Sequence, residues 1–352
     1  MQKPSKAEAH GRLRADLGMI VLTTAIAELT HRVSSPTDIF APVSTPAQSI
    51  FELSLFVLGI SGAIFVVVAG LLAYTAIRFR KRKSDDGREP PQVYGSLQVE
   101  LAWTVTPVLI ALVLLLATAR VIFKIQGAVR PAGALDVTVI GHQFWWEYRY
   151  PGLEVVTANE LHVPVSDPAH PTPTFLKLYS ADTDHSWWVP RLAGKTDLIP
   201  NHPNSMWIEP RETGLYLGQC AQYCGTQHAK MLLRVYVQSR EDFAAWVQEQ
   251  RQTVQTALAD GTVSEGRKIF ERVACINCHT VAGTPANGRF GPDLTHLMSR
   301  ETIASGAAPN TPENIRRWIE NPNAIKPGCL MPPMGLNDPQ LDAVTAYLVS
   351  LR

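Results

Sequence analysis

The chain has 352 residues, enough for two or three folding units at roughly 100 to 200 residues each. Hydrophobic residues make up 46% and Asp, Glu, Lys and Arg only 18%, which excludes a disordered chain; a formal net charge of +1 gives no overall field to recruit nucleic acid. Five cysteines are too few for a disulfide scaffold, and the odd number leaves at least one thiol needing another role.

Residues 1–49 read as a leader. Lys3, Lys6, Arg12 and Arg14 precede an apolar stretch over 17–27 that ends Ala25-Ile26-Ala27, the make-up of a cleavable signal peptide, with a disordered leader as the other reading. Two uncharged runs follow, 53–77 and 101–119, each long enough to cross about 30 Å of hydrocarbon as a helix. They predict a transmembrane hairpin over 50–124 in a lipid bilayer; a pair of buried soluble helices is the rival. The loop between them carries Arg78, Arg80, Lys81, Arg82, Lys83 and Arg88, whereas 33–51 has no Lys or Arg. By the positive-inside rule the loop is cytoplasmic, and both chain ends lie outside the cytoplasm.

After the hairpin the hydrophobic period changes. Leu135, Val137 and Val139 alternate with polar or opposite-face residues. Short apolar runs recur at 175–179, 206–208 and 233–237 between Pro, Gly, Asn and Asp clusters, which predicts an all-β antiparallel sandwich or barrel over 125–240. Polar, helix-favouring residues predict a linker over 241–258. Beyond it, helices over 264–272, 311–320 and 338–351 predict an all-α domain at 259–352, with Leu341, Val344, Tyr347 and Leu348 at core spacing.

Two motifs carry chemistry. In Cys220-Ala-Gln222-Tyr-Cys224-Gly-Thr-Gln-His228-Ala-Lys-Met231, two thiols, an imidazole and a thioether crowd into one short segment. Such sulfur ligands select copper, zinc or iron–sulfur centres over hard cations, and the thioether favours copper. A Cys220–Cys224 disulfide is the alternative, and it would leave His228 and Met231 idle. A second imidazole, His185, lies in Asp182-Thr-Asp184-His185-Ser186-Trp187 at the end of a predicted strand. The second motif, Cys275-Ile-Asn-Cys278-His279, has the spacing for covalent c-type haem attachment. Zinc is the rival there, but no second cysteine pair lies in the domain. Downstream, Lys326-Pro-Gly-Cys329-Leu-Met331-Pro-Pro-Met334 offers two thioethers suited to a haem iron.

On these motifs the chain resembles subunit II of the haem-copper cytochrome c oxidases, with a fused cytochrome c domain as in the caa-type oxidases. The resemblance implies a transmembrane hairpin, a cupredoxin-like sandwich and a class I cytochrome c domain. It implies a binuclear copper A centre of two copper ions, with Cys220 and Cys224 as bridging thiolates and His185 and His228 as terminal ligands. Met231 would be the weak axial ligand on one copper, and the Gln222 carbonyl would bind the other. The family usually places glutamate at position 222, so the magnesium or manganese site at the subunit interface is not expected to be intact, since hard cations favour carboxylate oxygen. In the same way, one covalent haem c would be held by Cys275, Cys278 and His279, with Met331 favoured over Met334 because it directly precedes a proline. The Pro292 carbonyl, in Gly291-Pro292-Asp293-Leu294, would orient His279. Cys329 is expected to be a small buried apolar residue, and His296 a loop histidine.

Further resemblances concern the path of protons and electrons. Glu100-Leu-Ala-Trp103-Thr104 with Pro107 is similar to the family's opening of the second membrane helix, which makes Glu100 a candidate near the mouth of a proton pathway. Gly141-His142-Gln143-Phe144-Trp145-Trp146-Glu147-Tyr148 is similar to the aromatic segment where an electron comes in from docked cytochrome c. The family usually has tryptophan at position 144, which leaves Trp145 and Trp146 as candidates beside Phe144. Implied partners are oxidase subunits I and III and a soluble or membrane cytochrome c donor. The implied function is electron transfer from haem c through copper A to subunit I, for reduction of oxygen with proton pumping. A copper A subunit of a nitric oxide reductase and a copper-delivery protein are the alternatives.

Overall fold

The computed structural model describes residues 35–80, 92, 94–126, 130–252 and 260–352. The signal-peptide segment and most of the basic loop therefore lie outside the described residues. Helices α1 (Thr45–Arg78) and α2 (Leu97–Ile125) form the hairpin. At 34 residues and 1.5 Å per residue, α1 is about 51 Å long, more than a bilayer's hydrocarbon needs. The excess has a use. The first turn of α1 buries Pro46, Ala47 and Ser49, and just before it the Val43 amide donates to the Arg191 carbonyl (3.0 Å) while Ser44 pairs with Pro210. Residues 35–49, grouped with the leader by sequence, are thus partly built into the β domain. At the other end of the hairpin Trp207 Nε1 donates to the Ile125 carbonyl (3.0 Å), so both hairpin ends are pinned to the same domain. Between these anchors the large apolar side chains of both helices are exposed, as lipid-facing surfaces require.

Ten strands follow: β1 (Leu135–His142), β2 (Trp145–Tyr150), β3 (Val155–Ala158), β4 (Glu160–Pro164), β5 (Thr174–Ser180), β6 (His185–Trp188), β7 (Thr196–Leu198), β8 (Asn204–Ile208), β9 (Gly214–Cys220) and β10 (Leu232–Gln238). They make two five-stranded sheets, in the orders β3-β2-β1-β5-β8 and β4-β10-β9-β6-β7. The sandwich is mixed rather than antiparallel as expected, because β1 runs parallel to β5 and β4 parallel to β10. Alternation marks β1 and β10, whose inward residues Val137, Val139, Leu233, Val235 and Val237 fill the space between the sheets. It fails for β2, where Trp145 to Tyr148 are all buried. His142 stacks on Trp145 with ring centroids 4.1 Å apart and binds Glu147, so the outward face of β2 is covered too.

The linker expectation changes. Residues 240–250 form α3 (Arg240–Gln250), whose Phe243, Trp246 and Val247 join the core of the sandwich. Trp246 stacks on His162 (4.3 Å), which stacks on Tyr236 (4.8 Å). The polar composition of this segment describes only its outer face.

The C-terminal domain holds α4 (Gly261–Arg272), the single turn α5 (Cys275–Cys278), a short hairpin β11 (Thr302–Ile303) and β12 (Ala308–Pro309), then α6 (Pro312–Glu320) and α7 (Asp338–Val349). Leu341, Val344, Tyr347 and Leu348 are buried against Ile269, Phe270 and Ile315, as their spacing predicts. Asn337 starts α7 with a capping box closed by Gln340.

Candidate metal and haem centres

His185 opens β6 and Cys220 closes β9, strands paired so that Trp187 lies opposite Cys220. Sheet pairing thereby brings together side chains that are 35 residues apart in sequence. Cys220 Sγ lies 3.9 Å from His185 Nδ1 and 3.9 Å from Cys224 Sγ; Cys224 Sγ lies 3.7 Å from His228 Nδ1 and 3.8 Å from Met231 Sδ. The Gln222 carbonyl is 3.2 Å from Cys220 Sγ. All six sequence candidates therefore converge. His185, Cys220, Cys224 and Met231 are buried, while His228 is half-buried and Gln222 exposed.

Both cysteines are free, and a sulfur separation of 3.9 Å is far from a disulfide's ~2.05 Å. With metal–sulfur bonds of about 2.3 Å, two sulfurs this far apart can both reach one ion, on either side of the line joining them. The donors, two thiols flanked by an imidazole each with one thioether and one carbonyl, fit a soft two-metal centre. The close Cys220–Cys224 contact holds one thiol of the pair, Cys220, below the usual thiol range against the effect of burial, and pushes Cys224 up in turn. One proton of the pair is thus lost readily, as binding a metal requires.

Sequence reasoning missed what holds His185. Its Nε2–H donates to Asp182 Oδ1 (2.8 Å), which leaves Nδ1 toward Cys220. Asp182 is itself fixed by the Gln143 amide on Oδ2 (2.6 Å) and the Thr183 amide on Oδ1 (2.7 Å). A carboxylate behind a ligating imidazole sets its tautomer and orientation. The signal was present as Asp-x-Asp-His, which alone does not say which aspartate turns inward. Gly141 completes the pocket: a Cβ there would lie 2.8 Å from His185 Cδ2, so only glycine lets the ring pass. Gln143 Nε2 donates to the Cys224 carbonyl (2.6 Å), tying the aromatic segment to the thiol loop. Phe144, Trp145 and Trp146 are all buried.

In the C-terminal domain Cys275 and Cys278 bracket the turn α5, both half-buried, with His279 immediately after it. His279 Nδ1–H donates to the Pro292 carbonyl (2.8 Å), leaving Nε2 as its free ring nitrogen. Burial lowers the basicity of this ring, and the Pro292 bond partly opposes that. Gly291 is needed for the approach, since a Cβ would come within 2.5 Å of His279 Cε1. Arg300 is buried beside this site; it donates to the Asp293 carbonyl (2.6 Å), while its Nε–H finds no acceptor among the described residues. A buried cation with a spare donor suits an anionic group such as a porphyrin carboxylate, so the donor set fits a c-type haem. Met331 and Met334 are half-buried in the loop before α7. Cys329 is half-buried rather than buried, with its Sγ 3.7 Å from the Met331 carbonyl. His296 is a buried residue of the loop after Pro292.

Glu100 lies in the first turn of α2, exposed, at the end of the hairpin away from the sandwich. With 29 residues in α2, about 43 Å of helix separates that end from Ile125. Glu100 therefore takes no part in either centre.

Comparison with known proteins follows the same division of the chain. Residues 36–121 match the cytochrome c oxidase subunit II transmembrane domain, 168–238 the periplasmic domain of that subunit, and 263–352 cytochrome c. The cytochrome c oxidase subunit 2 of Alkalihalophilus pseudofirmus is 31% identical over 316 residues, covering 88% of this chain and 90% of that one. The subunit 2 of Bacillus sp. strain PS3 is 33% identical, covering 78% and 80%. Among solved structures, the periplasmic domain of subunit II of cytochrome oxidase from Bradyrhizobium japonicum is 27% identical, with a TM-score of 0.33 over 35% of this chain and 97% of that one. Hairpin, cupredoxin-like sandwich and cytochrome c domain occur in one continuous chain, and this chain belongs to the cytochrome c oxidase subunit II family, in its form with a fused cytochrome c domain.

Proposed function

We propose that the chain receives electrons for a terminal oxidase. A soluble or membrane cytochrome c donor supplies them, and subunit I, accompanied by subunit III, uses them to reduce oxygen to water with proton pumping. When bound, one covalent haem c and a binuclear copper A centre supply the one-electron carriers between donor and subunit I. The protein's own part is to hold those groups. Cys275 and Cys278 would attach the haem and His279 and Met331 would ligate its iron, with the Pro292 carbonyl holding the His279 ring through Nδ1–H. Cys220, Cys224, His185, His228, Met231 and the Gln222 carbonyl would hold the copper ions, with Asp182 fixing the His185 ring from behind. Loop charge supports placing both domains outside the cytoplasm, and the position of Glu100 at the far end of α2 supports a role in proton uptake.

One observation carries this reading. The ligand-bearing loops of the two centres meet: Gln227, next to His228, donates through Nε2 to the Pro327 carbonyl, just ahead of Met331, and Lys230 Nζ donates to the Ile325 carbonyl (3.2 Å). The test is to purify the intact complex and measure oxygen uptake with reduced cytochrome c, together with haem c and copper content. Electron paramagnetic resonance should show one electron shared over two coppers. A single localised copper would favour copper delivery instead, and nitric oxide turnover without oxygen uptake would assign the subunit to a reductase.

A further inference from the structure

The two redox domains exchange buried polar side chains across their seam. Glu160, at the start of β4 in the sandwich, is 1% exposed and reaches into the cytochrome domain. There it accepts from the Glu301 amide (3.0 Å), the Thr302 amide (2.9 Å) and the Thr302 hydroxyl (2.7 Å). Lys326, in the methionine loop of the cytochrome domain, is 2% exposed and reaches the other way. Its Nζ donates to the Phe144 carbonyl of the sandwich (2.7 Å) and to the Ala304 carbonyl of its own domain (3.1 Å). Between these two points the tip of the β11–β12 hairpin presses onto β10. Ala304 and Ser305 take left-handed conformations (φ 54° and 61°), unfavourable for residues with a Cβ, and Ser305 exchanges hydrogen bonds with Leu232: the Leu232 amide donates to the Ser305 carbonyl (3.3 Å) and the Ser305 hydroxyl to the Leu232 carbonyl (3.1 Å). Arg234 braces the arrangement from β10, 3.7 Å from Glu160 and 2.7 Å from Glu301.

We propose that Glu160 and Lys326 act as a reciprocal clamp that holds the cytochrome domain in one fixed pose on the copper domain. The positioning is between the copper-side segment at Phe144 and Cys224 and the methionine-side loop at Lys326. The physical reason is selectivity rather than net attraction. A polar head taken out of water and left without its partners costs about 1–3 kcal/mol, and more if charged. Both heads meet these cross-seam partners in this register, so a shifted or loosened pose strands at least one of them. Because little water reaches either group, burial pulls Lys326 down to about 7 and pushes Glu160 up. A lysine amine donates in either protonation state, so the contact survives loss of its charge. The strained hairpin tip delivers the Ala304 carbonyl to Lys326, while the start of β11 leading into it presents the Glu301 and Thr302 amides to Glu160.

This inference rests on the proposed function only for its consequence: haem-to-copper transfer, one electron leaving one site and arriving at the other, proceeds without a domain search. The clamp itself is tested on the full chain within its complex by hydrogen exchange at the Leu232 amide, which crosses the seam and is touched by neither side chain. Lys326→Met and Glu160→Gln should each speed that exchange at least tenfold, because releasing either end loosens the whole seam. Unchanged exchange in either variant overturns the clamp. If Lys326→Met fails to incorporate haem, Glu160→Gln decides alone. A second readout is the haem-to-copper rate after rapid photoreduction, in buffers of rising viscosity. The wild-type rate should stay constant, while the variants should be at least tenfold slower and should slow further with viscosity; a viscosity-dependent wild type overturns the proposal. Absence of a copper pair would sink the functional reading and leave the exchange result standing.

Discussion

Asp182→Asn tests whether the histidine at the copper site is ligand-competent only because a carboxylate stands behind it. Every hydrogen bond the Asp182 carboxylate makes is an accepted one: His185 Nε2–H and the Thr183 amide on Oδ1, and the Gln143 amide on Oδ2. Asparagine replaces one of those oxygens with an NH2 group, which meets a donor whichever way it turns. If NH2 faces Gln143, one backbone bond is lost; if it faces His185, the imidazole loses its orienting acceptor. Either loss leaves a partly buried donor unpaired at a cost of about 1–3 kcal/mol, or roughly 5- to 150-fold in affinity at about 1.4 kcal/mol per decade. The expected result is copper retention weakened by about 10- to 100-fold, measured by competition with a chelator on the purified complex, with haem content unchanged. The acid side has a sign as well. Burial opposes the charged form of Asp182, but His185, Gln143 and Thr183 outweigh it and hold its carboxyl below the ordinary 3.8. An acid depressed on folding adds stability above its unfolded pKa and loses it as pH falls through that value toward the folded one, so the stability gap between wild type and variant should close below about pH 4. Copper affinity within twofold of wild type in a folded variant would refute the reasoning.

Met331→Leu should abolish the methionine-to-iron charge-transfer band while Met334→Leu leaves it intact; the reverse pattern reassigns the ligand. Gly291→Ala places a Cβ within 2.5 Å of His279 Cε1 and should break the bond to Pro292, seen as a shifted haem spectrum and a changed reduction potential, whereas an unaltered spectrum would show that the loop can yield. Trp246→Ala should destabilise the sandwich by about 3–5 kcal/mol, as for other large core truncations, read as a lower Tm of copper loss; a change under about 1 kcal/mol, the range of a surface substitution, would return α3 to the status of a linker. Glu100→Gln should lower proton pumping per electron with both metal centres spectroscopically intact, and unchanged pumping and turnover would remove Glu100 from the proton path.

The chemistry of this chain is unusually open to a sequence reader because metal ligation is often local. Cys220, Cys224, His228 and Met231 fall within one short segment and Cys275, Cys278 and His279 within another, so clustering marks both places, while the roles expected of these residues come from the family resemblance. The hairpin is equally legible, since about 30 Å of hydrocarbon demands a long uncharged run. The cores of β1, β10 and α7 follow from periodicity. Where both faces of an element are covered, periodicity is lost, and β2 went unnoticed for that reason. The parallel pairings of β1 with β5 and β4 with β10 were equally out of reach, because strand direction depends on how distant segments cross. Segment α3 misled for a related reason: three apolar residues suffice to dock a helix whose other positions are polar. What only the tertiary structure decided is how the pieces hold one another. Asp182 is chosen over Asp184 by the turn ahead of β6, and Glu160 meets Thr302 across 142 residues of sequence, as Lys326 meets Phe144 across 182. Such contacts leave no local pattern, because a buried polar group is satisfied by backbone atoms that any residue could supply.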